Sequence, residues 1–265
     1  MSPRQRVWLI VGAAAAAAAG ITVGVTLATR SDVDRAQSKP PPFVADPTAP
    51  PKLASDVREA LRAWPAGTAR RLRILAARNP RSALVRLELG LALAFAGQNA
   101  DAQRAWRDAE RAQPDSPSAV HAADLRHPNT PPGLPPFVPS FGRAKTRAQV
   151  DLLRGAAYQQ SGRPVSAERE FAAAARAAPD DPEALTAAAV GLYSKESTAA
   201  AFSRLGPLAR RFPHAQTVRF HLGLLLIYFG DVRRARRELA LAEAEGPRTR
   251  LGNKAHILLR AGQKG

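Results

Sequence analysis

The sequence predicts an all-α chain built from helix–turn–helix repeats, and three observations lead to this fold class. Prolines recur every 34 residues at Pro179, Pro213 and Pro247. Pro80 and Pro114 also stand 34 residues apart. Small residues and large apolar residues recur in fixed register with these prolines. Alanine dominates the composition, and the alternating apolar runs that would indicate strands are absent.

Each repeat places a small residue 24 positions before its proline and an alanine 12 positions before it. Small residues at these two places let the two helices of a hairpin approach closely. A large apolar residue follows each alanine by four positions and would fill the space beside that contact. Proline ends the second helix because it cannot continue it. The small residues are Gly90, Gly155, Ala189 and Gly223, the alanines are Ala102, Ala167, Ala201 and Ala235, and the large residues are Trp106, Phe171, Leu205 and Leu239.

This pattern resembles the tetratricopeptide repeat, a 34-residue unit of two helices, here named A and B in chain order. The resemblance implies a tetratricopeptide-type superhelix, or α-solenoid, because each hairpin leaves an apolar face that the next one covers. It also implies that the A helices form a concave face, here named the groove, which holds a protein or peptide. The resemblance covers residues 52–261.

The register divides the folded part into four stretches. They are a degenerate first repeat with a second repeat at 52–116, an incomplete repeat with a Pro-rich loop at 117–147, three repeats at 148–249, and a capping helix at 250–265. In the capping helix we expect Ile257, Leu258 and Leu259 to face inward.

The Pro-rich loop replaces the B helix of the incomplete repeat. It has six prolines from Pro128 to Pro139, and four large apolar residues stand among or just after them: Leu134, Phe137, Val138 and Phe141. A loop of this composition is expected to pack against something. It either lies in the groove or docks a partner, or it covers the surface left by the missing helix. We prefer the second interpretation because that surface must be covered in any case.

A membrane anchor is predicted ahead of the repeats. Residues 1–6 form a short basic tail, and residues 7–28 carry no charge. As a helix these 22 residues would span about 33 Å, enough for the hydrocarbon core. A cleaved signal peptide is the alternative, but its apolar core would be shorter and would end in a clearer cleavage site. Residues 29–51 are rich in proline and predict a semi-extended linker.

The anchor leads to expectations for location and assembly. A short tail ahead of a large domain usually stays inside the cell, so we expect a cytoplasmic N-terminus and a repeat domain outside the cytoplasm. Ala16, Gly20 and Gly24 recur at four-residue spacing, which would let two such helices pack as a homodimer.

No enzymatic chemistry is indicated. The chain has no cysteine, no phosphate-cradling glycine loop and no nucleophile motif. Its five histidines are not accompanied by a set of carboxylates with metal-ligand spacing. The sequence therefore predicts no catalytic residue, no cofactor and no metal site. The net charge of +17 leaves one alternative open, a basic surface that binds polyanions such as wall polymer, anionic lipid or nucleic acid.

The resemblance to the repeat family implies where a partner would bind. The family positions that face the groove carry apolar residues with Tyr, Gln and Phe, and they lack the Lys, Asn and Arg with which some members clamp a terminal carboxylate. Such a face suits an amphipathic helix or an extended apolar segment. We therefore expect a membrane-anchored scaffold that helps assemble an envelope complex. The partner-binding candidates are Gln149, Leu152, Gln159, Thr186, Val190, Tyr193, Phe220, Leu224 and Tyr228.

Overall fold

The computed structural model describes residues 39–262. Within that range all regular secondary structure is helical, which confirms the predicted all-α class. The predicted membrane helix at 7–28 and its three small residues lie outside the described residues. None of the helices in the described range has the length and apolar character needed to cross a bilayer. The described chain forms two compact units, residues 39–127 and 128–262.

The N-terminal unit contains five helices. They are α1 (Pro51–Leu61), α2 (Thr68–Arg78), α3 (Ala83–Phe95), α4 (Asn99–Ala112) and α5 (Pro117–Arg126). Consecutive helices pack as antiparallel neighbours, and the A helices α1, α3 and α5 also contact one another in succession. No helix follows α5 before residue 147, which is where the sequence analysis places the incomplete repeat.

The C-terminal unit contains three helical hairpins and a final helix. The hairpins are α6 (Arg147–Gln160) with α7 (Pro164–Ala177), α8 (Pro182–Gly191) with α9 (Ala199–Arg211), and α10 (Gln216–Phe229) with α11 (Val232–Glu245); the last helix is α12 (Arg250–Ala261). The A helices α6, α8, α10 and α12 contact one another in sequence and form one face of the unit.

Prolines and capping residues set the helix boundaries. Pro179, Pro213 and Pro247 all lie between helices, as their spacing predicts. In six of the twelve helices of residues 39–262, a side-chain oxygen of the preceding residue accepts a hydrogen bond from a first-turn N–H, which satisfies a donor that the helix itself leaves unpaired. The capping residues are Ser82, Ser116, Thr146, Asp181, Asp231 and Thr249.

The packing of each hairpin explains the small-residue positions. A Cβ atom added at Gly90 would overlap the ring of Trp106, and one added at Gly155 would overlap the ring of Phe171. The large residue of the B helix therefore lies directly over the small residue 16 positions earlier. This refines the prediction, which put the large side chain beside the helix contact instead of over the small residue.

Two expectations need correction. Ile257 is 61% exposed, whereas Leu251, Ala255 and Leu258 of α12 are buried. Three successive residues cannot share one face of a helix, because each step turns the side chain by about 100°. Residues 39–50 do not behave as a spacer either, since Pro41 and Asp46 are buried against the N-terminal unit.

Candidate functional site

The groove of the C-terminal unit is occupied by the chain itself. Residues 131–141, here named the groove segment, have no regular secondary structure and lie on the A helices. The groove segment runs from the carboxyl ends of α8 and α10 toward the amino ends of α8 and α12. The structure thus places the Pro-rich loop on the A helices, which is the first of the two interpretations drawn from the sequence and not the one we preferred.

Gln159 of α6 holds the main chain of the groove segment at two points. Its Oε1 accepts the N–H of Phe137 at 2.7 Å, and its Nε2 donates to the carbonyl of Pro135 at 2.9 Å. One amide side chain thus pairs with a donor and an acceptor of an extended backbone, as a neighbouring strand would. Hydrogen bonds of this kind recognise the main chain of an extended segment and do not depend on one particular side chain.

Two further side chains accept backbone N–H groups of the groove segment. His221 Nε2 of α10 accepts the N–H of Val138 at 2.9 Å. Glu183 of α8 accepts the N–H of Ser140 at 2.5 Å and its hydroxyl at 2.6 Å. The N–H groups of Val138 and Ser140 therefore both have side-chain partners, and that of Val138 is a half-buried donor that needs one.

The two ends of the groove segment are held through carbonyl groups. At the amino end, Lys195 Nζ donates to the carbonyl of Pro131 at 2.7 Å, and the Tyr228 hydroxyl donates to the carbonyl of Pro132 at 3.4 Å. At the carboxyl end, Arg250 donates to the carbonyl of Phe141 at 3.2 Å.

Phe137 is the main apolar anchor of the groove segment and is only 2% exposed. Its ring stacks on the imidazole of His221 at 4.8 Å between centroids and meets the ring of Phe171 edge to face at 5.2 Å. Leu152 and Val190 belong to the same buried cluster. Burial of a phenylalanine side chain contributes about 2–3 kcal/mol, so this pocket supplies a large share of the attachment.

Proline suits the groove segment for a physical reason. Proline has no N–H to satisfy and favours the extended polyproline II backbone. Pro131, Pro135 and Pro139 of the groove segment are buried. The segment can therefore lie in an apolar groove while leaving few backbone donors that need partners.

Burial shifts the pKa of two groove residues. Desolvation lowers the pKa of His221 to about 4, opposed by the hydrogen bond of Nδ1 to the Thr217 carbonyl at 2.7 Å. The imidazole is neutral at pH 7, with the proton on Nδ1 and Nε2 free to accept the N–H of Val138. Desolvation also raises the pKa of Glu183, and its hydrogen bonds from Ser140 oppose that shift.

The predicted groove residues all lie on or just after the A helices, and two of them form hydrogen bonds with the backbone of the groove segment. Gln159 and Tyr228 bind its backbone, and Gln149 accepts the N–H of Lys145 just beyond it at 2.7 Å. The remaining six predicted residues are buried, and Leu134 and Val138 pack on the cluster that holds Tyr193, Phe220 and Leu224. The six remaining predicted residues are Leu152, Thr186, Val190, Tyr193, Phe220 and Leu224. Their contact with a partner stays a prediction.

Sequence reasoning missed part of the site. His221, Lys195 and Arg250 contact the groove segment but occupy none of the family's groove positions, so the register gave no signal for them. Glu183 does stand at such a position and was omitted from the candidates. Among residues 39–262, no cluster of three or more His, Cys, Asp or Glu side chains is placed to hold a metal ion.

The N-terminal unit holds a proline-rich stretch of its own chain in a similar way. The N–H of Val44 donates to Glu88 Oε1 of α3 at 2.7 Å. Asp46 accepts the N–H of Ser118 at 3.2 Å and its hydroxyl at 2.5 Å, at the start of α5. Each unit therefore binds an extended segment on its A helices through side-chain contacts to the main chain.

Comparisons with known proteins give a distant likeness. No protein-family model matches the sequence, and no curated protein matches it. Among solved structures, the chain is similar to one described as YrrB, a TPR protein with an unusual peptide-binding site, at 15% identity and a TM-score of 0.33, over 77% of this chain and 87% of that one. It is also similar to the MamA RS-1 ArsTM double mutant at 14% identity and a TM-score of 0.27, over 74% and 93% of the two chains.

Proposed function

We propose that this chain is a membrane-anchored, non-enzymatic scaffold that binds an extended segment of a protein partner in the groove of its C-terminal unit. The observation that carries the proposal is the pairing of Gln159 with both a donor and an acceptor of the groove segment. This pairing provides hydrogen bonds to a peptide backbone, and the Phe137 pocket provides an apolar anchor site; a peptide-binding face needs both. The occupant is a stretch of the same chain.

A partner would replace the groove segment rather than bind on top of it. The groove side chains that hold the segment have their hydrogen bonds fulfilled by it, and the Phe137 pocket is full. A competing segment must offer a similar extended backbone and an aromatic anchor. The resident segment is also tethered to α6, which gives it a high effective concentration against any partner in solution. Binding of a partner is therefore expected to be weak until the groove segment is loosened.

The nine predicted groove residues would then contact the partner in the places where they now contact the groove segment or support it. The predicted membrane helix would hold the repeats at the bilayer surface, outside the cytoplasm. We propose assembly of an envelope complex as the process, with a homodimer through Ala16, Gly20 and Gly24 as one way to present two binding units.

A labelled peptide of residues 128–145 tests this function directly. It is titrated in trans against the full-length protein in detergent micelles, and binding is followed by fluorescence anisotropy. We expect no measurable binding to the unchanged protein, because its groove is full. The Phe137→Ala protein should bind the peptide, since its own segment has lost its anchor. Adding Gln159→Ala to that variant should weaken binding at least ten-fold.

A second peptide with alanine in place of Phe137 is the matched control, and it should bind at least ten-fold more weakly. Should Phe137→Ala fold poorly, a protease site inserted between Gly142 and Arg143, both exposed, offers another way to loosen the segment. The proposal is contradicted if the loosened proteins bind neither peptide, or if they bind both equally.

A further inference from the structure

A second concave site lies on the C-terminal unit, away from the groove segment. It is an open pocket of about 450 Å³ between the first turn of α9, the outer side of α10 and the start of α11. Its apolar lining comes from Phe202, Leu222, Leu226 and Phe229. A pocket of this size and composition accepts one or two side chains of a bound segment.

Phe229 marks the rim of this pocket as an interaction surface. It is 61% exposed, and its ring meets that of Phe202 edge to face at 5.4 Å. Gly230 follows it with φ of 87°, a left-handed conformation that ends α10 and fixes the position of Phe229. An aromatic side chain held in water beside an apolar pocket is typical of a protein-binding site.

The charged side chains of the rim leave one positive charge without a partner. Glu238 pairs with Arg219 at 2.9 Å, and Asp231 pairs with Arg234 at 3.4 Å. Arg237 also lines the pocket, is exposed, and forms no ion pair with any described residue. The first turn of α9 contains no acidic residue and adds the partial positive charge of a helix N-terminus. The rim is therefore positive next to an apolar hollow.

We propose that this pocket binds an acidic peptide segment of a partner protein. An aromatic or aliphatic side chain of that segment enters the hollow beside Phe202 and Phe229, and a neighbouring carboxylate pairs with Arg237. A guanidinium group suits this role because it stays charged and can hold a carboxylate through two parallel hydrogen bonds.

Charge argues against other occupants. A second copy of this chain carries a net charge of +17, which opposes docking on a positive rim. A flat anionic bilayer does not reach into a concave pocket, so it would leave the apolar lining of Phe202, Leu222, Leu226 and Phe229 uncovered. The pocket beside Phe202 and Phe229 would recognise the charge and the apolar side chains of its ligand, whereas the groove binds the backbone of a proline-rich segment. This inference goes beyond the function proposed above and does not depend on it.

The test uses three labelled hexapeptides and the full-length protein in detergent micelles at low salt. The first is Asp-Glu-Phe-Leu-Asp-Glu, the second has serine in place of its Phe and Leu, and the third has lysine in place of its acidic residues. The first peptide should bind, and the other two should bind at least ten-fold more weakly. Phe229→Ala and Arg237→Ala should each weaken binding of the first peptide about ten-fold, since each removes one of the two contacts.

Matched controls come from α12, where Ile257 is as exposed as Phe229 and Arg260 is exposed as well. Ile257→Ala and Arg260→Ala should leave binding unchanged. The inference is overturned if the serine peptide binds as well as the first, or if no peptide binds. Recruitment to vesicles of anionic lipid that depends on Phe229 and Arg237, without peptide binding, would also overturn it and assign the site to lipid.

Discussion

The imidazole of His221 lies face to face with the ring of Phe137, with 4.8 Å between centroids and 20° between planes. The same imidazole accepts the N–H of the next residue, Val138, at 2.9 Å. One side chain of α10 thus contacts both the anchor and the backbone of the groove segment. We therefore expect any change that loosens the groove segment also to lower the free energy of unfolding of the helices that form the groove.

Replacement of Phe137 by alanine should destabilise the C-terminal unit by about 3–5 kcal/mol, the usual cost of removing a buried phenylalanine. Urea unfolding followed by the fluorescence of Tyr158, Tyr193 and Tyr228 measures this, since all tyrosines of the chain lie in this unit. Phe141→Ala is the control: Phe141 is only partly buried, and its loss should cost clearly less. Equal effects of the two substitutions would argue against Phe137 as the anchor.

Acid should weaken the C-terminal unit through His221. Its pKa is about 4 in the folded protein and about 6.5 in an unfolded chain. The unfolded state therefore binds the proton more strongly, and stability present above pH 6.5 is lost as the pH falls from 6.5 to 4. The loss is on the order of 3 kcal/mol. In His221→Gln, which stays neutral and can still accept a hydrogen bond, the stability lost between pH 6.5 and pH 4 in urea unfolding should be smaller by that amount; an unchanged loss would contradict this assignment.

Glu88 should give the N-terminal unit the opposite dependence on pH. Burial raises its pKa to about 8, opposed by the hydrogen bond from the Val44 N–H, and its Oε2 has no hydrogen-bond partner among the described residues. The folded state keeps the proton while the unfolded chain loses it near pH 4.5, so stability falls as the pH rises from 4.5 to 8. Glu88→Gln should raise stability at pH 8 by about 2 kcal/mol or more.

Tryptophan fluorescence measures the Glu88→Gln effect, because Trp64 and Trp106 lie in the N-terminal unit and the described C-terminal unit has no tryptophan. At pH 4 the variant and the unchanged protein should be about equally stable. A similar gain at pH 4 and at pH 8 would show that packing, not titration, is responsible.

The close helix contacts predict at which glycines a substitution by alanine destabilises the fold. Gly155→Ala should destabilise the C-terminal unit by about 1–3 kcal/mol, because the added methyl group overlaps the ring of Phe171. Gly206 of α9 has open space where its Cβ would lie. Gly206→Ala should therefore cost clearly less than Gly155→Ala; the helix preference of alanine favours it, but residue 206 precedes Pro207, which disfavours a helical backbone at a residue with a Cβ. Thermal unfolding of both variants checks this, and destabilisation by Gly206→Ala alone would contradict it.

The repeat register could be predicted from the sequence because it depends on local spacing. Pro179, Pro213 and Pro247 lie between helices in the structure, and Gly155 and Phe171, which recur together, meet at the helix contact, although the ring lies over the glycine and not beside the contact. These features follow from residues less than one repeat apart. The expectation for Ile257 is wrong because three successive residues of a helix point in different directions, and Leu258 takes the inward one.

The site could be predicted only in part because its decisive contacts join distant residues. Val138 and His221 are 83 positions apart, and Val44 and Glu88 are 44 apart. Composition shows that a loop with Phe137 must be buried somewhere, but several apolar surfaces could have accepted it. The choice of the groove depends on hydrogen bonds to Gln159 and His221, and no sequence pattern specifies such pairs.

Hydrogen exchange at the amides of Phe137, Val138 and Ser140 in the full-length protein tests the central claim most directly. If the groove segment occupies the A-helix face, these three N–H groups are held by Gln159, His221 and Glu183. They should then exchange at least 100-fold more slowly than in an unstructured peptide, which corresponds to about 2.7 kcal/mol. Exchange at the rate of the free peptide 128–145 would show that the groove is empty in solution and would contradict the account.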